Sequence, residues 1–287
     1  MDARMEEYCS FMEAYLRERC FTEDAPQQQL FEAMRYSLLA GGKRLRPVMV
    51  FEFCRLCGGD WHKAVPFAAA IEMVHTYSLI HDDLPCMDND DYRRGRLTNH
   101  KVYGEATAVL AGDALLTAAF SRIGHSDFPA SQRAKAMTLL ADCAGEMGMV
   151  GGQMLDMAAE TRECTEQEIL DIQSRKTGEL IRAACELGVI AANGTPEQHK
   201  AAAAFADHLG LAFQIRDDVL DRIGDKATLG KSVGTDDNKN TFVRLYGLDK
   251  CMELVRMHTD LATEALSEFP DNAWLCNLAE ALTTRFS

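Results

Sequence analysis

The chain has 287 residues, of which 47% are hydrophobic and 26% charged, a balance typical of a globular protein with a sizeable core. Its formal net charge of −14 argues against a nucleic-acid partner. No run approaches the roughly 18 consecutive apolar residues of a membrane span, and the N-terminus has no apolar signal core, so we expect a cytoplasmic protein. The ten cysteines show no zinc-like Cys/His spacing, and we expect reduced core thiols.

Helical periodicity runs through the chain, and its breaks fall at glycine and proline. Apolar positions recur at i, i+3 and i+4 most clearly over 67–81 and 201–213. We find no convincing alternating strand, no long linker and no internal repeat. The pattern predicts an all-α fold, with residues 1–287 forming a single domain of about ten helices.

The first group of basic side chains lies at 41–47, Gly-Gly-Lys-Arg-Leu-Arg-Pro. The glycines permit a turn, and Pro47 suits the first turn of a following helix. Cations just before a helix N-terminus form a ready phosphate site. A helix boundary with solvated charges explains the segment equally well. Lys43 and Arg46 are the candidates for phosphate contact.

A helix is predicted to begin near Pro66 and to end at Pro85, which leaves Asp82 and Asp83 in its last turn. Carboxylates there face the negative end of the helix dipole, which costs a few tenths to about 1 kcal/mol each. A sequence that places anions where they destabilise a helix is expected to use them, and Asp88 follows closely.

Several side chains on this helix precede the acidic motif. His75 falls within about 20° of the helix face of Asp82 and is a candidate phosphate ligand, although such histidines are more often core residues. Tyr77 and Ser78 lie roughly 6 to 8 Å along the helix before Asp82, where they would line the path of an apolar tail or simply pack. His81 raises a rival hypothesis, a His-Asp metal phosphohydrolase, which needs further histidine ligands.

A second acidic motif contains Asp217, Asp218 and Asp221. Asp217 and Asp221 are one helical turn apart and repel each other unless a positive group lies between them. A lone acidic run is usually a solvated face. Two such motifs beside apolar helices favour one site for hard cations and a polyphosphate, and their all-oxygen ligands suit Mg²⁺ or Mn²⁺.

The remaining basic side chains follow the acidic motifs or stand alone. Arg93 and Arg94 lie close enough after the first motif to neutralise the anion that the metals would hold. Lys176, Lys231 and Lys239, taken singly, are most simply surface charges.

The order of these motifs resembles the short-chain trans-isoprenyl diphosphate synthases. The resemblance is carried by Gly-Gly-Lys-x-x-Arg-Pro, by Asp-Asp-Leu-Pro-Cys-Met-Asp at 82–88 with Arg-Arg-Gly at 93–95, and by Gln-Ile-Arg-Asp-Asp-Val-Leu-Asp at 214–221. It implies a polyprenyl synthetase domain, an all-α bundle around a central apolar cavity, and a homodimer. Asn89, Leu97 and Arg216 depart from the usual pattern, and Arg216 is the one expected to alter metal affinity.

The resemblance also implies a role for each candidate. The ligands of two or three Mg²⁺ ions, with Mn²⁺ as a substitute, would be Asp82, Asp83, Asp88, Asp217, Asp218 and Asp221. The allylic diphosphate would be held by Arg93, Lys176, Thr177, Gln214 and Lys231. Isopentenyl diphosphate would be held by Lys43, Arg46, His75 and Arg94. The catalytic set would comprise Asp82, Asp88, Asp217, Arg93, Lys176 and Lys231.

The activity implied is a head-to-tail condensation of isopentenyl diphosphate with dimethylallyl and then geranyl diphosphate, through Mg²⁺-assisted ionisation to an allylic carbocation. Within the family, an aromatic residue at the position of Tyr77, beside Ser78, accompanies a C15 product. We therefore expect farnesyl diphosphate, with C10 or C20 products as the alternatives. A class I terpene cyclase would not need the second diphosphate site.

Overall fold

The computed structural model describes residues 2–228 and 240–284, with 224–228 described by backbone alone. Nearly all regular structure in these ranges is helical, which confirms the all-α prediction. The chain forms two compact units. The first unit is Met1–Leu139 with Ile190–Asn193, and the second unit is Leu140–Val189 with Gly194–Ser287. That 1–287 form a single domain stays a prediction.

The elements follow one another with short connections. Up to residue 144 they are α1 (Ala3–Arg19), α2 (Gln28–Leu38), α3 (Leu45–Leu56), a 3-10 turn (Trp61–Ala64), α4 (Val65–Asp82), β1 (Tyr92–Arg93), β2 (Arg96–Leu97), α5 (Asn99–Tyr103), α6 (Glu105–Gly124) and α7 (Ala130–Ala144). From residue 149 they are α8 (Met149–Ala159), α9 (Glu166–Gln173), a π-helical turn (Ser174–Gly178), α10 (Glu179–Ala191), α11 (Pro196–Thr228), α12 (Phe242–Ala265), a 3-10 turn (Leu266–Glu268) and α13 (Ala273–Thr284).

Helix α4 is the core of the first unit. Every residue from 67 to 74 is buried, as expected for a helix that is apolar on all sides. The helix packs against α3 and α6, and α6 lies close at Gly112, where an added Cβ would stand 2.1 Å from Nε2 of His81. As predicted, α4 begins beside Pro66 and has Asp82 in its last turn, but it ends at Asp82, three residues before Pro85, so Asp83 is the C-cap residue. The packing of α4 in the core therefore fixes the position of Asp82, where the first acidic motif begins.

A two-stranded hairpin carries the arginines that follow the first acidic motif. Arg94 and Gly95 both have positive φ, 54° and 74°, as a two-residue type I′ turn requires. Tyr36 on α2 holds the hairpin, because its hydroxyl donates to the Leu97 carbonyl at 2.7 Å and its ring lies 4.2 Å under the Arg96 guanidinium. Strands of two residues are too short to show the alternation by which a strand is recognised.

In the second unit, α11 and α12 enclose an apolar cluster that positions the second acidic motif. Ile215 and Val219 on α11 pack with Phe242, Cys251 and Val255, and all five side chains are buried. The aspartates of the motif alternate with these apolar positions along α11. The burial of one helix face therefore directs the carboxylates to the remaining faces.

Within the described ranges, one helix is long and apolar enough to cross a membrane by length and composition. This helix is α6, and 33% of its most apolar window is buried inside the chain. Core helices of soluble proteins pass the same test.

The ten cysteines are free thiols, as predicted, but only five are buried; four are partly buried and Cys86 is exposed. Cys54 and Cys57 have Cys-x-x-Cys spacing at the end of α3. Burial raises the pKa of each to about 12, with Cys57 adding to the effect at Cys54. The protonated thiol is therefore favoured at both positions, unlike in a redox-active pair.

Candidate active site

The first acidic motif folds back onto the end of α4. The Asp88 N–H donates to the Asp82 carbonyl at 2.9 Å, and the Asn89 N–H donates to the Leu84 carbonyl at 3.1 Å. Asn89 has a φ of +54°, a conformation that asparagine tolerates. These hydrogen bonds thus hold Asp82 and Asp88 in the same turn of the chain. The Asp88 side chain is exposed.

Asp83 holds Arg93 rather than facing solvent. It is 3% exposed, and its Oδ1 accepts from Nε and Nη2 of Arg93 at 2.7 and 2.6 Å. Burial raises the pKa of Asp83 and Arg93 opposes that rise. The pKa of Arg93 is raised because Asp83, Asp82 and Asp90 outweigh the effect of burial. Asp83 thereby orients the arginine predicted for the allylic diphosphate.

Three of the four residues predicted for the second diphosphate come together in the first unit. Arg46, His75 and Arg94 form this basic cluster. The pKa of His75 is well below its usual value, because of burial first and then the charges of Arg46 and Arg94. Burial and Arg94 also lower the pKa of Arg46. His75 is therefore neutral at pH 7 and surrounded by cations.

The turn at 41–42 makes this arrangement possible. Gly42 has a φ of +123°, and a Cβ there would lie 2.8 Å from the guanidinium carbon of Arg94. A guanidinium nitrogen of Arg94 donates to the Gly41 carbonyl. The buried Nε of Arg46 has no hydrogen-bond partner among the described residues. Lys43, the fourth predicted residue, is exposed. Clustered cations with an unsatisfied donor suit an anionic ligand.

Arg44 is a residue that sequence reasoning missed. It is 3% exposed and donates to Glu13 on α1, to Glu72 on α4 and to the Leu38 carbonyl, at 2.7, 2.5 and 2.7 Å. Its backbone is left-handed, with a φ of 49°. The run Lys-Arg-Leu-Arg contains no signal that separates this buried cation from its two neighbours.

The side chains before Asp82 pack within the first unit. Tyr77 is 6% exposed, and burial, followed by the charge of Asp82, raises its pKa to about 12. The Ser78 hydroxyl donates to the His75 carbonyl at 2.9 Å. His81 lies edge-on to Tyr77 with a centroid distance of 5.7 Å, and its Nε2 lies 3.1 Å from the Val109 carbonyl. This contact with α6 makes His81 a packing residue and does not favour the phosphohydrolase hypothesis.

The second acidic motif has one carboxylate committed to the backbone. Oδ2 of Asp218 accepts from the Phe242 N–H at 2.8 Å, which ties α11 to the first residue of α12. Burial raises the pKa of Asp218 to about 6; the Phe242 N–H opposes that rise, while Asp221 and Asp217 add to it. Asp217 is half-buried and Asp221 is exposed.

The donor set fits a metal that is shared with its substrate. Among the described residues, no group of three or more His, Cys, Asp or Glu side chains is arranged to hold a metal by itself. Asp82, Asp88 and Asp217 supply only oxygen, the ligand that Mg²⁺ prefers, and Mg²⁺ usually retains waters and binds substrate phosphates. Each acidic motif by itself is therefore an incomplete set of Mg²⁺ ligands, which water and substrate phosphate would complete.

Lys176 lies in the π-helical turn, against α8. Its ammonium contacts the Asp156 carboxylate. Gly152 brings α8 this close, because a Cβ there would stand 2.3 Å from the Lys176 backbone nitrogen. Thr177 and Gln214 are half-buried. Single π-turns are frequent at functional sites.

Asn240, after the second motif, and Arg216, within it, have partners that the sequence did not indicate. Asn240 accepts from the Cys164 N–H at 3.0 Å and donates to the carbonyls of Ala159 and Arg162 at 2.8 and 2.9 Å. Buried Arg216, the departure expected to alter metal affinity, donates to Sδ of Met252 on α12 at 3.1 Å. Lys231 and Lys239 lie outside the described residues.

Comparison with solved structures identifies the class of protein. The fold matches that of an FPP/GFPP synthase from Zymomonas mobilis in its apo form, with a TM-score of 0.89 and 37% sequence identity over 98% of this chain and 97% of that one. The fold is therefore that of the isoprenyl synthases.

Comparison of sequences then identifies the family. The polyprenyl synthetase family model matches residues 27–268. Farnesyl diphosphate synthase of Micrococcus luteus is 50% identical over 231 residues, 80% of this chain and 79% of that protein. The farnesyl diphosphate synthase of Geobacillus stearothermophilus is 45% identical over 263 residues, 90% and 89% of the two chains. Geranylgeranyl diphosphate synthases are also among the relatives. The chain belongs to the polyprenyl synthetase family.

Proposed function

We propose that this protein condenses isopentenyl diphosphate with dimethylallyl diphosphate and then with geranyl diphosphate, giving (E,E)-farnesyl diphosphate. The observation that carries the proposal is the basic cluster of Arg46, His75 and Arg94, where three cation-bearing or hydrogen-bonding side chains converge with an unsatisfied donor. A second diphosphate site of this kind is needed for chain elongation and not for hydrolysis or cyclisation. The farnesyl diphosphate synthases among the relatives support the same activity.

The allylic substrate would be held by the acidic motifs and their neighbouring cations. Asp82, Asp88 and Asp217 would ligate Mg²⁺ directly, and the supporting positions are Asp83, Asp218 and Asp221. Bound Mg²⁺ supplies positive charge to the diphosphate leaving group. Arg93, oriented by Asp83, and Lys176 would hold the same diphosphate and offset its charge as the C–O bond breaks.

Condensation then needs no nucleophilic side chain. The double bond of isopentenyl diphosphate forms a new C–C bond to the allylic carbon, while the allylic C–O bond breaks and diphosphate leaves. The intermediate loses a proton, which the released diphosphate accepts, and a new allylic double bond forms. His75, Arg46, Arg94 and Lys43 orient isopentenyl diphosphate for this attack. Apolar surroundings keep water from the carbocation.

Tyr77 supports a C15 product. Its ring is almost fully buried on α4, one turn before Asp82, where it would stop a growing chain. Longer products of C20 and shorter products of C10 are the alternatives. The proposal also includes two or three Mg²⁺ ions, a homodimer, a cytoplasmic location and the lack of a membrane span. The family resemblance supports these points.

The test is an incubation with isopentenyl and dimethylallyl diphosphates plus Mg²⁺, with product length read by mass spectrometry. We expect C15 diphosphate as the main product, and loss of all product when EDTA removes the metal. Release of phosphate without any condensation product would refute the proposed function. A main product of C20 or C10 would leave the condensation reaction standing but refute the C15 product and the assignment of Tyr77 as the stop.

A further inference from the structure

The buried side chain of Arg44 joins three helices beside the basic cluster. Its Nε donates to Glu13 at 2.7 Å, one Nη to Glu72 at 2.5 Å, and the other Nη to the Leu38 carbonyl at 2.7 Å. The side chains of Arg44 and Glu72 are 1% and 3% exposed. Three of its five N–H donors are thus bound within the protein, and its burial keeps the side chain from a ligand.

Arg44 also fixes a backbone that would otherwise favour another conformation. Its φ of 49° is left-handed, a conformation that non-glycine residues rarely adopt. The same short segment contains Gly41, whose carbonyl accepts from Arg94, and Gly42, which packs against the Arg94 guanidinium. The side-chain bonds of Arg44 thus hold the turn on which Arg94 rests.

Glu72 is the acidic counterpart of this cluster. Its charge raises the pKa of Arg44 and opposes the lowering of the pKa of Arg46 and of Arg94. It lies one helical turn before His75 on α4. A buried carboxylate at this point offsets the repulsion among the neighbouring arginines. Without Glu72, we expect repulsion to push Arg46 and Arg94 apart when no anion is bound.

We propose that Arg44 and Glu72 are positioning residues for the diphosphate of isopentenyl diphosphate: their buried ion pair sets the 41–46 turn and so aligns Arg46 and Arg94. The proposal rests on the proposed function and adds two residues to it. Arg44 and Glu72 act through the basic cluster and do not touch the substrate.

The test compares steady-state kinetics of Arg44→Lys with those of wild type. Lysine retains the charge but lacks the guanidinium group, which hydrogen-bonds Glu13, Glu72 and Leu38 at the same time. We expect KM for isopentenyl diphosphate to rise about tenfold, and KM for the allylic substrate to change by less than about twofold. Glu13→Ala removes only the half-exposed partner, and it should raise the same KM by about threefold in a well-folded protein.

Arg55→Lys is the matched control. Arg55 bonds the buried Glu52 at 3.0 and 2.7 Å in the first unit, at the far end of α3. This variant should lower the melting temperature as Arg44→Lys does, and leave both KM values unchanged. The proposal is supported if Arg44→Lys and Glu13→Ala raise KM for isopentenyl diphosphate and leave KM for the allylic substrate nearly unchanged.

Each contrary outcome has a separate meaning. If Arg44→Lys and Glu13→Ala both keep the wild-type KM for isopentenyl diphosphate, or if Arg55→Lys raises it equally, the ion pair is merely structural and the inference is overturned. Should Arg44→Lys fail to fold, the Glu13→Ala result decides. Absence of condensation product from wild-type protein overturns the proposed function, and this inference with it.

Discussion

The Asp218 carboxylate accepts the backbone N–H of Phe242 at 2.8 Å, so one aspartate of the second motif holds the start of α12. Asp221, three residues later on α11, is exposed. Asp218 therefore has a structural role that the motif itself does not show.

Asp218→Ala should destabilise the protein more than Asp218→Asn. Alanine leaves the Phe242 N–H without its partner, which costs about 1 to 3 kcal/mol when the group is buried, whereas the asparagine oxygen can still accept. The measurement is the free energy of unfolding from urea titration in metal-free buffer. Asp260→Ala, which removes an exposed carboxylate on α12, is the control and should change it by less than about 0.5 kcal/mol. Equal values for the two Asp218 variants would contradict the role of the hydrogen bond.

Gly152→Ala should impair the allylic site through Lys176. The new Cβ would stand 2.3 Å from the Lys176 backbone nitrogen, so α8 or the π-helical turn must move. Overpacking of this kind costs about 1 to 3 kcal/mol, and we expect KM for the allylic diphosphate to rise. Gly124→Ala is the matched control, since its Cβ would meet only Met137 at 4.0 Å. An unchanged allylic KM in Gly152→Ala would count against the assignment of Lys176.

The helices and the acidic motifs were predictable because their signals are local. Pro66 marks the start of α4 and Pro85 lies three residues beyond its end, and the spacing of Asp217 and Asp221 shows a shared helix face. Carboxylates at a helix C-terminus contradict the usual preference and are therefore noticed from sequence alone. Such motifs can be recognised from residues that lie within a few helical turns of each other in the sequence.

The roles of the basic residues were only partly predictable, because their partners are distant in sequence. Arg44 and Arg46 are the same residue type two positions apart, yet Arg44 bonds Glu13 and Glu72, 31 and 28 residues away. Likewise, the contact between Gly152 and the turn of Lys176 joins segments that share no local pattern. Tertiary packing decides which cation is structural and which lies in the basic cluster.

His75 should make the stability of the protein depend on pH below neutrality. Its folded-state pKa is well below 6.5, because of burial and the neighbouring arginines. The unfolded chain therefore binds more protons between pH 6.5 and the folded pKa, and the free energy of unfolding falls as pH falls through that window. His258, whose pKa is lowered by burial and by His208, acts in the same direction.

His75→Gln should therefore flatten the slope of unfolding free energy against pH below about 6.5. The measurement is urea unfolding at a series of pH values in metal-free buffer. His258→Gln should flatten it separately, and the double variant should have the smallest slope. If His75→Gln keeps the full wild-type slope, His75 is not held neutral by its surroundings.

Tyr77→Ala should lengthen the product. The tyrosine ring is 6% exposed on α4, and alanine removes most of its volume one turn before Asp82. A growing chain would then extend past C15, so C20 diphosphate should become a major product in the mass spectrum. Tyr92→Ala is the control, because Tyr92 is 67% exposed and its loss should leave the C15 product dominant. A Tyr77→Ala protein that still makes mainly C15 would show that another side chain stops elongation.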